Sequence, residues 1–293
     1  MTGRVIGIIG GSGLYEIDGL EDVEWRRVES PFGRTSDEFC FGTLGGHRVV
    51  FAPRHGRGHV VPPSAINFRA NIDALKRCGV SDIVSLSAVG SLREELAPGD
   101  FVVIDQFVDR TFARAKSFFG TGCVAHVSMA HPVCGRIGDA LVAAGSEAGM
   151  ALKRGGTYIV IEGPQFSSLA ESELYRSWKC DVIGMTNMPE AKLAREAEIC
   201  YATVAMVTDY DCWHADHEDV NVEAIVAVLN ANAEKAKALI ERAVPRLAAD
   251  PRSCRQGCEH ALDGAIITAA DRRDPGVLAR LDAVAGRVLG LGP

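Results

Sequence analysis

The sequence predicts one α/β domain built on a mixed, twisted β-sheet with helices on its faces. Three observations carry that prediction. Short apolar runs rich in β-branched residues alternate with longer stretches of helical period, the pattern of strand–helix units. One pair of runs, Phe39–Leu44 and His47–Phe51, is joined by only Gly45-Gly46, a hairpin signal that makes part of the sheet antiparallel. No repeat, low-complexity tract or composition shift marks a linker, so one domain covers 1–293, with a C-terminal helical segment from about residue 250.

The elements follow in order. Val5–Ile9 reads as a short buried strand, and Gly10-Gly11-Ser12-Gly13 as the turn after it, with backbone N–H groups free for a ligand. The third glycine of a dinucleotide fingerprint is missing, because Glu16 stands in its place, so the loop is at best a small anion cradle. After the hairpin, Arg54-His55-Gly56-Arg57-Gly58-His59 gathers cations at a strand end, where guanidinium and backbone can close on an oxyanion. Ser64 reads as the N-cap of a helix through Cys78. Ile83–Val89 is a strand, and Ser87-Ala88 at its end leaves room for close approach of a ligand.

Phe101–Ile104 is a further strand, and residues 109 to 131 read as a long surface loop of the kind that forms lids or subunit contacts. A helix is expected from about Val133 to Gly149, and strands at Tyr158–Ile161 and Asp181–Met185. Ser168 and Glu171 form a capping box between them. Pro189 suits a first helical turn, which puts Thr186 near a helix N-terminus, where anions are favoured. Ile199–Ala205 is the last strand and leads into Asp209-Tyr210-Asp211; helices are expected from Asn221 to Ala243 and from about Glu259 to Leu289, the latter broken at Asp274-Pro275-Gly276.

Composition narrows the function classes. The chain is 47% hydrophobic and 24% charged, ordinary for a globular protein, and its net charge of −7 argues against a nucleic acid or an anionic membrane as partner. No apolar run reaches the about 18 residues of a membrane helix, and the N-terminus lacks the flanks of a signal peptide, so the expected location is cytoplasmic. Nine cysteines, odd in number and scattered through apolar runs, suit reduced core thiols better than a disulfide framework. Cys254 and Cys258, with His260 nearby, have the spacing of a metal or redox pair but fit no strong zinc pattern, and no metal is expected.

The chemistry collects at the predicted strand ends. Ser12, Arg54, His55, Ser87 and Thr186 are hydroxyl, guanidinium or imidazole donors without matching carboxylates, which describes a phosphate-like site. Phe166, Met185 and the Asp209/Asp211 pair form a second surface, suited to stacking on a flat ring, sliding under a sugar and accepting hydrogen bonds from a purine. Together the two surfaces suggest phosphate attacking a glycosidic bond.

On Ile6–Leu14, Ser30–Gly33, Ala52–Gly56, Ala88–Glu95, Asp105–Thr111, Ile161–Pro164, Gly184–Thr186 and Thr208–Trp213, the chain resembles the purine nucleoside phosphorylase and methylthioadenosine phosphorylase family. The resemblance is ordered over about residues 5 to 240, and little of it lies beyond about 250. It implies phosphate ligands at Ser12, Arg54, His55, Ser87, Ala88 through its backbone, and Thr186. It implies ribose contact at Met185 and base contact at Phe166, with Ser167 in the substrate-binding set. Asp209 and Asp211 would face adenine as the catalytic pair, Asp209 donating to N7, with Tyr210 between them in the same set. Val222 and Ile225 would line a methylthio pocket, and His126 would come from an adjacent subunit of a homotrimer. Inorganic phosphate would be co-substrate, with no further cofactor. Asn187 is more typical of 6-oxopurine enzymes, which keeps a methylthioinosine or 6-oxopurine nucleoside phosphorylase as an alternative and a non-catalytic nucleoside-binding protein as a remote one.

The chemistry agrees with that implication. An oxocarbenium-like state needs an anionic nucleophile held under C1' and a stabilised leaving purine. Asp209 can act as an acid only with a raised pKa, which burial beside the charge of Asp211 is expected to supply.

Overall fold

The computed structural model describes residues 4–11, 17–214, 222–250 and 253–291, without the side chains of 222–225. Val5–Gly10 forms β1, buried at every position, and Leu20–Arg26 forms β2 on the sheet edge. Phe39–Leu44 (β3) and His47–Pro53 (β4) are the predicted hairpin. Gly45 and Gly46 both hold positive φ, 56° and 78°, the demand a two-residue hairpin turn makes and glycine meets without a Cβ clash.

Next come α1 (Phe68–Arg77), the long β5 (Val80–Ser91), β6 (Phe101–Val103) and β7 (Gln106–Asp109). Then follow α2 (Gly135–Glu147), β8 (Lys153–Arg154), β9 (Thr157–Val160), α3 (Leu169–Ser177) and β10 (Val182–Gly184). The chain continues through α4 (Asn187–Glu196), β11 (Cys200–Asp209), α5 (Val222–Ala249), α6 (Pro275–Leu278) and α7 (Asp282–Leu289).

Among the described residues, one sheet runs in the order β2-β3-β4-β1-β5-β10-β9-β7 and forks at β5, where β11 also pairs and carries β6 and β8 with it. The β1–β4, β1–β5 and β5–β11 pairings are parallel, while β3–β4, β5–β10 and β6–β11 are antiparallel. The sheet is therefore mixed, as expected, inside a single α/β domain. β11 reads as a continuous apolar run because it is covered on both faces: of its ten residues only Asp209 is not buried.

Several expectations are corrected. Ser64 does not cap α1; it lies in a 3-10 turn and its hydroxyl donates to Glu162, while Asn67 accepts the capping bond from the Ala70 amide. Residues 109 to 131 are not simply surface: Phe118 and Phe119 are buried, and the buried Arg114 spans the carbonyls of Met185, Met188 and Glu162. The C-terminal segment is not one broken helix but turns and two short helices. It still joins the main core, where Leu262, Leu281 and Val284 pack in one cluster with Val5 and Ile83. Strands β2, β7 and β8 escape the apolar pattern because they lie at or near the sheet's edges and are held mainly by backbone pairing. The capping box at Ser168–Glu171 is present in both directions.

Candidate active site

The carboxyl ends of β1, β4, β5 and β11 converge, as ligand sites in open α/β sheets usually require. They border a cavity of about 610 Å³ that β10 and α5 close from the other sides.

Register sets the first end. Gly10 pairs with Pro53 and the Arg54 amide donates to the Gly10 carbonyl at 3.0 Å, so the β1 turn and the Arg54-His55 strand end arrive side by side. Arg54 is buried and tied bidentately to Glu190, Nε to Oε2 at 2.8 Å and Nη2 to Oε1 at 3.1 Å. It also donates to the Ser85 hydroxyl at 2.6 Å and the Leu86 carbonyl at 3.0 Å. The expectation of donors without a matching carboxylate is thus corrected: Arg54 carries its own counter-ion, and one Nη1 hydrogen is left for the cavity.

His55 donates from Nδ1 to the Val61 carbonyl at 2.9 Å, because a carbonyl oxygen only accepts, and this leaves Nε2 as the acceptor of the neutral ring. Burial, helped by the nearby Arg54 charge, lowers its pKa to about 4, so the ring is neutral at physiological pH. It stacks on His59 with 4.2 Å between ring centroids. Arg57 does not join them, since it lies outward in ion pairs with Asp37 and Glu38.

Across from Arg54, the Ser87 and Thr186 hydroxyls meet at 2.7 Å, and the fully buried Tyr158 hydroxyl lies 3.2 Å from Ser87. Thr186 precedes α4 but caps nothing; Met188 is non-helical, and regular helix begins at Pro189. Asn187 turns into the core, donating to Ser85, Tyr201 and Thr203 at 3.0, 2.5 and 2.9 Å. It braces the Arg54–Glu190 network and does not line the cavity, so its bearing on base preference falls away.

The second end belongs to β11. A register shift between Val207 and Asp209, next to Gly90 of β5, re-aims the carboxylates into the cavity. Gly90 permits this approach: a Cβ there would lie 2.9 Å from Asp209 Oδ1. Asp209 Oδ1 accepts from the Asp211 amide at 2.8 Å, and Asp211 holds a left-handed φ of 54° to make that bond. Asp209 Oδ2 lies 2.7 Å from the Thr208 hydroxyl, which also reaches the Val89 carbonyl at 3.1 Å. If the single Thr208 proton goes to the carbonyl, Asp209 must supply the hydrogen of its own contact with Thr208.

Burial is the first cause that raises the pKa of Asp209. Asp211 is raised too, first by burial and to a smaller degree by Asp209. Its Oδ2 is buried without a hydrogen bond of ordinary geometry among the described residues, with the Ser172 hydroxyl near the carboxylate.

Residues 5–245 match a family model described as the phosphorylase superfamily. The chain belongs to the phosphorylase superfamily. It is 62% identical over 285 residues to the S-methyl-5'-thioadenosine phosphorylase of Cereibacter sphaeroides, covering 97% of this chain and 98% of that one. The enzyme of the same name from Geobacter sulfurreducens is 55% identical over 284 residues, covering 97% and 98%. Among solved structures, a methylthioadenosine phosphorylase from an antarctic soil metagenomic library superposes with a TM-score of 0.91 at 45% identity over 97% and 99% of the two chains. The Schistosoma mansoni methylthioadenosine phosphorylase in complex with adenine gives 0.84 at 34% identity over 90% and 99%.

The superfamily chain brings Arg54, His55, Ser87, Ala88, Phe166, Ser167, Met185, Thr186, Asp209 and Asp211 to one cavity. Tyr210 is corrected: its side chain points away and its hydroxyl donates to the Glu94 carbonyl at 3.3 Å. His126 is exposed and does not line this chain's cavity. Ser12 and the side chains of Val222 and Ile225 lie outside the described residues. The sequence reading missed Val226, Leu229 and Ala233, which continue the helical period of Val222 and Ile225 into the cavity wall. It also missed Gly163, whose φ of 70° and lack of a Cβ let the Met185 sulfur pack over it; a Cβ would sit 2.4 Å from that atom.

Proposed function

We propose that this phosphorylase cleaves S-methyl-5'-thioadenosine with inorganic phosphate, giving adenine and 5-methylthioribose 1-phosphate. One observation carries the reading: two desolvated carboxylates of raised pKa, Asp209 half-buried and Asp211 buried with an oxygen that lacks a hydrogen bond among the described residues, face a hydroxyl and guanidinium site across an apolar cavity. Adenine offers an amino donor that this Asp211 oxygen can accept. Hypoxanthine offers an oxygen there, which an ionised Asp211 repels. The names of the relatives at 55% and 62% identity support the same substrate.

The step balances as follows. A phosphate oxygen bonds to C1' as the C1'–N9 bond breaks, and its electron pair leaves with the purine. Protonated Asp209 gives its proton to N7, so adenine departs neutral, and Asp209 is reprotonated from solvent. Ser87, Thr186 and the remaining Arg54 Nη1 hydrogen would hold phosphate, and the neutral His55 Nε2 would accept the proton that monohydrogen phosphate keeps. Met185 would lie under the ribose and Phe166 against the base. The Val226–Ala233 face of α5 offers an apolar wall to the methylthio group.

The reading takes the protein as a cytoplasmic homotrimer without a cofactor beyond its phosphate co-substrate. Nine unpaired cysteines suit a reducing compartment, and no helix among the described residues is long and apolar enough to cross a membrane. Val60 and Phe112, 73% and 82% exposed on loops, are apolar surface that a neighbouring subunit would cover. A trimer would elute with about three times the chain's 31.3 kDa in light-scattering chromatography; a monomer would overturn that part.

The decisive assay mixes protein, methylthioadenosine and phosphate and follows adenine and the sugar phosphate. Adenine release that is absent, or equal without phosphate, sinks the proposal. Faster turnover of methylthioinosine or inosine sinks the base assignment.

A further inference from the structure

Four cysteines far apart in sequence meet in one place. Cys134 is the N-cap residue of α2, Cys200 opens β11, and Cys254 and Cys258 flank a tight turn after α5 in which Gly257 holds a left-handed φ of 62°. All four are buried free thiols, and their sulfurs lie within 4.8 Å of one another. Cys254 Sγ is 3.1 Å from that of Cys258 and 3.4 Å from that of Cys134. A zinc ion at about 2.3 Å from each of four thiolates would hold the sulfurs about 3.8 Å apart, inside this range.

A second observation points to a charged occupant. The Arg136 guanidinium is buried and lies against the Cys200 and Cys134 sulfurs. Its Nη2 is taken by Asp82 and its Nη1 faces Asp250 at 4.0 Å, but Nε has no hydrogen-bond partner among the described residues. Buried guanidinium N–H groups against neutral thiols lose their hydration for little return; against metal-bound thiolates they gain strong acceptors. The expected partner of the pair, His260, takes no part, since it is exposed beside Asp263.

We propose that Cys134, Cys200, Cys254 and Cys258 hold one zinc ion in a closed tetrahedral site, with Arg136 as the donor that supports the thiolates. Binding releases four thiol protons to solvent and leaves a site of net charge −2, which Arg136 and the α2 N-terminus partly offset. With all four positions filled by protein, the role is structural. The ion ties the segment after residue 250, beyond the matched 5–245, to the start of the strand that ends in Asp209.

The test is metal analysis of the full chain purified from zinc-replete medium without chelators or metal-affinity resin. About one zinc per chain is expected, falling below about a tenth in Cys254→Ser/Cys258→Ser and remaining in Cys40→Ser and Cys180→Ser, which are buried elsewhere. Cobalt exchanged into the wild-type chain should give the intense visible bands of a tetrahedral thiolate complex, a reading that does not depend on whether the double variant folds. Chain that carries no metal, zinc retained by the double variant, or four titratable thiols missing in non-reducing denaturant, the mark of two disulfides, would each overturn the proposal. Iron in place of zinc would overturn the choice of ion.

Discussion

At the end of the cavity built by β1, β4 and β5, Arg54 and Glu190 neutralise each other in a network that also uses Ser85, Asn187 and Tyr201; at the β11 end, no basic side chain among the described residues hydrogen-bonds Asp209 or Asp211. The first end has its charges balanced before a ligand arrives. The second carries the cost of buried carboxylates until a substrate arrives with donors. The difference teaches where binding energy and catalysis are divided: hydroxyls backed by a neutral ion pair position an anion, and desolvated acids provide the proton.

The contrast can be broken from either side. Glu190→Gln leaves Arg54 buried and unpaired, so it should cost about 3–5 kcal/mol in denaturant unfolding and raise the phosphate KM; an unchanged midpoint would show that the pair is not the keystone. Asp209→Asn should lower kcat about 10²–10³-fold while leaving phosphate affinity intact. Because it removes a destabilised carboxylate, its Tm at pH 7 should hold or rise by a few degrees. A fall in both activity and Tm would mean that Asp209 is structural. Gly90→Ala places a methyl 2.9 Å from Asp209 Oδ1, and about a tenfold loss of kcat/KM with about 1–2 kcal/mol of stability is expected from activity and melting curves.

The smallest effect concerns a carboxylate outside the site. Glu196 is buried beneath the 109–131 loop, accepts from the Ser117 hydroxyl and the Phe118 amide among the described residues, and burial raises its pKa to about 7. A raised acid is better tolerated protonated, so its presence costs stability as pH rises from the unfolded value of about 4.5 through 7. Glu196→Gln should therefore be more stable than the parent above pH 7, by about 1–2 kcal/mol, with the gap closing below pH 5. An equal gap at both pH values would reject burial as the cause.

Much of the site is legible as residue types at strand ends. The apolar runs locate β1, β4, β5, β10 and β11, and a strand end in such a sheet is where ligands sit, so Arg54, Ser87, Thr186 and Asp209 could be gathered without coordinates. The hairpin and the Ser168 capping box were equally readable, because Gly-Gly and Ser-x-x-Glu act over a few residues. The edge strands were not, since backbone pairing leaves little trace in side-chain pattern.

What the sequence by itself determined is local: which segments extend, which turn, and which chemical groups stand at their ends. Only the tertiary structure decided pairing and protonation. Glu190 reaches Arg54 from 136 residues away. His55 loses its charge chiefly through burial, and Asp209 gains its proton affinity chiefly through burial. Cys134, Cys200, Cys254 and Cys258 come together only because α2, β11 and the turn after α5 pack at one point. Desolvation and long-range contact are properties of the packed chain, and no window of sequence contains them.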